Sequence, residues 1–291
     1  MSDLAVPVLA PARRRRWTRH PGLIAGSAVV VVIIALALLA PVISGYDPYD
    51  QDLLARIVPP VWMDGGSWDH VLGTDQLGRD YLARLLYGAR VSLLIGVSAA
   101  LISGVIGTAL GVLAGYFGGK TDLVISFLIT ARLALPVILV ALAVVATIGS
   151  SLTVVILVLG LLIWDRYALV MRAGTQQLRS ADFITAARVQ GCSAWQIMRF
   201  EILPNLANNL IIVATLEIGQ AIVLESALSF LGLGVPPPLP SWGLMVAEGK
   251  SYILFDSWMI TIPGLALFAL VLAINMVGDG LRDVTAPEGR N

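Results

Sequence analysis

Residues 185–205, "TAARVQGCSAWQIMRFEILPN", interrupt a chain that is otherwise written for lipid. They carry Arg188, Arg199 and Glu201, a glycine at 191 and a proline at 204, and apolar runs long enough to cross a bilayer lie on both sides. Laid on a helix, Ile184, Ala187, Gly191, Trp195, Met198 and Ile202 recur at steps of three and four, and Thr185, Arg188, Cys192, Gln196 and Arg199 form the opposite stripe. That pattern predicts an amphipathic element outside the hydrocarbon, with a possible break at Gly191. Pro204 is expected to stop it and turn the chain into the next apolar run. Ala186, Ala187 and Gly191 are small enough for another surface to approach the backbone. A helix lying on lipid headgroups would show the same stripes, so the pattern alone leaves both readings open.

Working outward, the composition agrees with a membrane protein. Of 291 residues, 57% are hydrophobic and only 13% charged, against about 25% charged in ordinary soluble domains. A spanning helix needs roughly 20 mostly apolar residues. Six such runs occur, at about 23–43, 91–116, 123–148, 152–171, 206–231 and 258–277. Glycines 104, 107 and 111 and prolines 136 and 263 fall inside them, which membrane helices tolerate. The formal net charge is zero, so bulk charge gives no argument for nucleic acid. Cys192 is the only cysteine, which rules out a disulfide within the chain, and His20 and His70 lie too far apart to suggest a metal site.

The basic residues set a direction. With the N-terminus in the cytoplasm, 13 of the 19 Lys and Arg fall on inside segments, Arg166 counted among them, and five fall outside; Arg132 lies within a span. Both termini are then cytoplasmic. The "RRRRWTRH" start followed by an apolar run resembles a secretory signal. The run is too long for one, however, and no small-residue cleavage site follows, so an uncleaved first helix is expected. The expected organisation is a basic tail (1–22), a first helix (23–43), an extracytoplasmic loop (44–87), a core (88–281) whose cytoplasmic loop spans 172–204, and a short tail (282–291). Within the outer loop, Leu77, Tyr81, Leu85 and Gly88 are spaced like a helix face lying at the surface before the second span.

Chemistry is absent where an enzyme would need it. "AGYFGGKT" (114–121) approximates a phosphate-binding loop, but membrane-length apolar runs precede and follow it, so no strand presents it to a nucleotide. No HExxH or GxSxG occurs, and neither histidine stands near a plausible nucleophile. Energy for any work must come from an ion gradient or from a partner.

The opening stretch is similar to the EAA loop of ABC importer permeases. "TAARVQG" is followed 12 and 13 residues after Gly191 by Leu203 and Pro204, with Thr185 where that family usually has Glu. "GTDQLGRDYLARLLYGARVSL" (73–93), "GVLAGYFGG" (111–119), "ALSFLGLGVPPPLPSWG" (227–243) and "INMVGDGLRD" (274–283) resemble the C-type permeases of dipeptide and oligopeptide importers. The resemblance implies an all-α fold of six transmembrane helices, one N-terminal helix before a five-helix type I importer core. It implies a non-catalytic subunit of the bacterial plasma membrane, forming half of a pathway for peptides, with oligopeptides favoured. The implied partners are a homologous B-type permease, cytoplasmic ATPase subunits that bind the ATP and magnesium, and an extracytoplasmic peptide-binding protein. The ATPases would dock through Thr185, Ala186, Ala187, Arg188, Gly191, Cys192, Leu203 and Pro204. Other solutes, such as a nickel chelate, or a gradient-driven transporter are the alternatives.

Three ionisable residues fall inside the apolar runs: Arg132, Glu217 and Glu225. Charges at that depth cost on the order of 2.5–3.5 kcal/mol or more when unpaired. Arg132 and Glu217 lie at similar depth and are expected to pair with each other, to face a wet pathway, or to meet a polar group of a partner permease. Glu225 is expected either to join two helices or to attract the ammonium end of a peptide.

Overall fold

The computed structural model describes residues 20–285. Among these, helices make up nearly all regular structure, and the one β-type pairing is an isolated bridge between Thr74 and Asp80. The elements in chain order are α1 (Pro21–Leu38), α2 (Tyr81–Phe117), α3 (Gly119–Leu133), α4 (Val137–Ile148), α5 (Leu152–Leu162), α6 (Asp165–Leu178), α7 (Asp182–Val189), α8 (Ala207–Phe230), α9 (Trp242–Gly249) and α10 (Trp258–Thr285). Five helices are long and apolar enough to cross a membrane, and six if the bent pair α3–α4 forms one crossing. The basic tail before His20 and the last residues of the short tail lie outside the described residues.

Local chemistry explains where each span starts and stops. His20 caps α1, its Nδ1 accepting the Leu23 N–H at 3.2 Å, and Pro21 fits the first turn because its missing N–H would have no helical partner there. Asp80 caps α2 by accepting the Ala83 N–H at 2.6 Å. From there α2 runs 37 residues without a break. The surface segment and second span read separately from the sequence are therefore one helix, and Leu77 lies before it. At 1.5 Å per residue it is about 55 Å long, well beyond a hydrocarbon core of about 30 Å.

Two other spans differ from expectation. The run at 123–148 is not one straight helix. α3 and α4 meet at a bend of 82°, and Pro136, lacking an N–H and disfavouring helix in the residue before it, stands at the break. The run beginning at 152 does not end at 171. α5 and α6, separated at Ile163–Trp164, form one span candidate reaching Leu178. Arg166, counted among the inside residues, already fell within the run 152–171, and the structure keeps it within this span candidate, at the second residue of α6.

The spans meet around α2. Gly107, Gly111 and Gly115 face α6 so closely that a Cβ on Gly107 would lie 2.3 Å from the Trp164 carbonyl oxygen. One on Gly111 would lie 2.5 Å from that of Ala168, and one on Gly115 would lie 2.7 Å from that of Arg172. Small residues spaced this way let two membrane helices pack backbone to backbone. Ile95 and Ala99 join Ala141, Val145, Val155, Leu159, Ala221 and Leu228 in a core shared by α2, α4, α5 and α8. A second core joins α1, α2, α8, α9 and α10 around Tyr81, Ile222, Trp242, Met259 and Ile274. α1 lies on α10 through another close contact, Gly280 against Leu23, and His20 pairs with Asp283 at 3.0 Å.

Gly107→Ala should force α2 and α6 apart. A cost of about 1–3 kcal/mol follows from overpacking a close contact, read as a lower thermal midpoint of the detergent-purified protein. Gly264→Ala, where an added Cβ meets nothing within 4 Å, should leave the midpoint unchanged. Equal midpoints for both variants would mean that the α2–α6 seam does not hold the fold together.

Candidate functional site

Four ionisable residues inside the spans, Arg132, Asp165, Arg166 and Glu217, gather where two helices are broken. Arg132 lies in the last turn of α3, just before the 82° bend. Its Nε donates to the Leu162 carbonyl, freed where α5 ends, and stands 3.2 Å from Oδ1 of Asp165 at the start of α6. One guanidinium thus answers a helix-end carbonyl and pairs a buried carboxylate. Arg166, the next residue, reaches Glu217 of α8, with Nη1 3.4 Å from Oε1. Arg132 and Glu217 therefore have different partners and do not pair with each other. Depth along a helix did not reveal which way each side chain points. Asp165 and Arg166 were missed as site residues, although the doublet in "LLIWDRYALV" (161–170) interrupts an apolar run and is a readable signal.

The two pairs differ in exposure. The Arg132 side chain is 17% exposed and Asp165 is buried, whereas the Arg166 side chain is 57% exposed over a buried Glu217. Next to them the Tyr167 hydroxyl donates to the Ala100 carbonyl at 3.0 Å, which fixes the first turn of α6 on α2.

Glu225 is fully buried. It accepts the hydroxyls of Ser229 at 2.7 Å and Ser241 at 3.0 Å. Ser241 in turn caps α9 by accepting the Leu244 N–H at 3.1 Å. Glu225 thus joins α8 to the start of α9, and it presents no face to an arriving ammonium group.

At the far end of α2 a second charged cluster seats the 44–80 loop. Asp75 pairs with Arg79 at 2.7 Å and with Arg84, and Glu248 of α9 completes the group at 2.7 Å from Arg84 and 3.5 Å from Arg79. Arg84, Arg79 and Asp75 are buried and Glu248 is 15% exposed, so two cations and two anions neutralise one another away from water. Sequence reading missed this cluster. Arg84 and Glu248 lie 164 residues apart, and nothing local links them.

The amphipathic element is built in pieces. α7 ends at Val189, and the chain turns at Gly191, whose φ of +84° favours glycine. An added Cβ there meets nothing within the chain, so this glycine serves the turn, whatever room it gives a partner. Ser193 and Gln196 form a capping box. A π-helical turn (Ile197–Ile202) then runs into Leu203–Asn205. Pro204 thus sits within a helical turn and does not stop the element, since proline is tolerated in a first turn. Ile184, Ala187, Ile197, Met198 and Ile202 pack on Val112 of α2 and Met171 of α6. Thr185, Ala186, Arg188, Gly191, Cys192 and Pro204 are exposed, Leu203 is half-buried, and neighbouring Val189 is 84% exposed. The Arg188 guanidinium lies 5.4 Å from the Tyr116 ring centre near the end of α2, tying the element to that helix. Among the described residues no three His, Cys, Asp or Glu side chains gather in a way that could hold a metal.

Comparison with known proteins covers nearly the whole chain. The family described as "Binding-protein-dependent transport system inner membrane component" matches residues 107–290, and the "N-terminal TM domain of oligopeptide transport permease C" matches residues 12–60. The di/tripeptide transport system permease protein DppC of Pseudomonas aeruginosa is 40% identical over 275 residues, covering 94% of this chain and 91% of that one. The dipeptide transport system permease protein DppC of Escherichia coli K12 is 41% identical over 288 residues, covering 98% and 96%. The glutathione transport system permease protein GsiD of Pectobacterium atrosepticum is 37% identical over 277 residues, covering 94% and 89%. Among solved structures, an inward-facing MetNI methionine ABC transporter chain superposes with a TM-score of 0.57 at 21% identity, covering 70% of this chain and 97% of that one. At that identity the likeness concerns the fold.

Double-mutant cycles check the pairing. Arg132→Gln combined with Asp165→Asn should show a coupling of roughly 1–3 kcal/mol in unfolding from detergent, since each single change orphans a charge held against its partner. Arg132→Gln combined with Glu217→Gln should add to within about 0.5 kcal/mol. The reverse ranking would restore the pair expected from depth alone.

Proposed function

The chain belongs to the binding-protein-dependent transport system inner membrane components, as a C-type permease of an ABC peptide importer, and on that premise we propose how it does its work. It is a non-catalytic, multi-pass subunit of the bacterial plasma membrane. In our reading it lines half of the pathway, and a homologous B-type permease lines the other half. An external binding protein delivers peptide, and cytoplasmic ATPases supply the energy. The substrates are short peptides. The relatives named for dipeptides, tripeptides and glutathione favour the short end of the range over the oligopeptides expected from sequence motifs.

The observation that carries the coupling half of this reading is the two-faced element at 182–205. One face packs on α2 and α6, and the other leaves Thr185, Arg188, Val189 and Cys192 uncovered. The element continues through Leu203 and Pro204 toward α8, which carries Glu217 and Glu225. A push on the exposed face is therefore delivered to a spanning helix with little slack between them. An ATPase with two states would bias the helices through this connection. Thr185 gives a partner a neutral hydroxyl where an acidic residue is usual, so docking here leans on shape more than on that charge. Both termini are cytoplasmic in this reading, following the distribution of Lys and Arg.

Reconstitution with the B-type permease, ATPases and binding protein should give peptide uptake that requires ATP and persists without a proton gradient. Cys192, which is exposed, should resist an impermeant maleimide in intact cells and react once the membrane is opened. Bound ATPase should slow that reaction about tenfold or more, as expected when a partner's cleft excludes solvent from the site. Labelling from outside would reverse the topology, and labelling indifferent to the ATPase would move the docking surface elsewhere.

A further inference from the structure

Arg166 is a charge exposed at mid-span. It follows directly on the break between α5 and α6, level with Glu217, which lies about ten residues, or about 15 Å, into α8. Its side chain is 57% exposed, and among the described residues its hydrogen bonding is a single 3.4 Å contact from Nη1 to Glu217. A guanidinium carries five N–H donors in a rigid fork, so most of this one faces outward with nothing to bind. Glu217 is buried beneath it and meets one of those donors. The nearby Arg132 and Asp165 satisfy each other.

The surface around Arg166 carries polar groups as well as apolar ones. α6 buries Tyr167, Ala168, Met171, Gly174 and Thr175, and its opposite stripe runs Arg166, Leu169, Ala173, Gln177 at helical spacing. A charge and an amide bracket that stripe, and an exposed charge within a span faces water or protein, since hydrocarbon would not hold it. A strip of mixed character, with Gln177 and Ala173 leading past Leu169 to an unsatisfied guanidinium, leaves room for a passage that water can enter.

We propose that Arg166 is a substrate-contacting residue of the pathway and holds the C-terminal carboxylate of the passing peptide through its outward N–H fork. This rests on the peptide-permease reading above. Every free peptide carries that carboxylate whatever its side chains, so one fixed group can serve substrates of mixed sequence. Guanidinium–carboxylate pairing is two-pronged and charge-assisted, and Glu217 sets the plane of the fork from below. Because Glu217 also offsets the charge, the hold is weak enough for the peptide to leave.

The test uses the complete permease–ATPase complex in detergent without binding protein, so that recognition outside the membrane plays no part. In a Cys192→Ser background, Ala173→Cys places a reporter thiol two turns along the same stripe, and its maleimide modification is followed by the mass of this subunit. A tripeptide with a free carboxylate, at millimolar concentration, should slow that modification, and the same tripeptide as its C-terminal amide should not. Adding Arg166→Gln should abolish the protection, shifting the concentration needed roughly tenfold to a hundredfold, as expected for one charge-assisted contact. Arg166→Lys should keep part of it, having charge without the fork. An unreactive Ala173→Cys thiol would show that a partner permease covers the stripe and would overturn the proposal. So would equal protection by acid and amide, or protection that survives Arg166→Gln. The unmodified complex, reconstituted with its binding protein and assayed for ATP-driven uptake, separates the two levels. Absent uptake would remove the permease reading, whereas uptake without carboxylate-dependent protection would remove the role of Arg166 alone.

Discussion

The backbone-to-backbone seam between α2 and α6 is the contact on which the rest of the arrangement hangs. Gly107, Gly111 and Gly115 leave no side chain between the two helices, so α6 is located by the carbonyls of Trp164, Ala168 and Arg172 themselves. In lipid, apolar side chains gain little by leaving one hydrocarbon environment for another, and close packing does much of the holding. Once α6 is fixed, Tyr167 falls within reach of the Ala100 carbonyl, and Asp165 is presented to Arg132. The amphipathic element at 182–205 rests on the same pair of helices, with Val112 from one and Met171 from the other. A shift along the seam would therefore be felt at both the charge cluster and the amphipathic element.

Breaking helices inside a membrane is costly, because every freed carbonyl or N–H needs a partner and none is available from lipid. Here two breaks stand side by side, at 134–136 and at 163–164, and one residue serves both. Arg132 ends the helix before the first break and donates to the carbonyl exposed at the second, while Asp165 neutralises it. Irregular backbone at this depth is tolerated where it is buried in protein or lines water. The exposed Arg166 on the adjoining turn marks the side from which water would reach it.

How much of this could be read beforehand follows from which constraints are local. The apolar runs behind the five or six candidate spans were legible because twenty apolar residues are a requirement of bilayer thickness, though not their limits, and the two-faced character of 184–202 was legible because helical periodicity is local. The bend at Pro136 was blurred, since a hydropathy window averages across a proline. The partner of Arg132 was left open between Glu217, a wet pathway and a partner permease, because depth fixes height in the membrane but not which way a side chain points about the helix. Asp165 supplies the missing direction, but only through a tertiary contact. Glu248 and Arg84 are further still from a sequence signal, joined across 164 residues by folding alone. The glycines of α2 were noted as compatible with a membrane helix, and their role as a seam needed α6 beside them.

The charged cluster under the 44–80 loop has a consequence for the surroundings in which the protein works. Exposed ion pairs loosen as mobile ions screen them, over a distance of about 8 Å at physiological ionic strength, whereas pairs withdrawn from solvent are screened far less. Asp75, Arg79 and Arg84 are closed off from solvent, and Glu248 nearly so. The loop is thus anchored to α2 and α9 by charges that dissolved salt scarcely reaches. In the proposed topology it faces a compartment whose ion content follows the growth medium. A cell moving between dilute and briny water would keep this end of the subunit in the same shape.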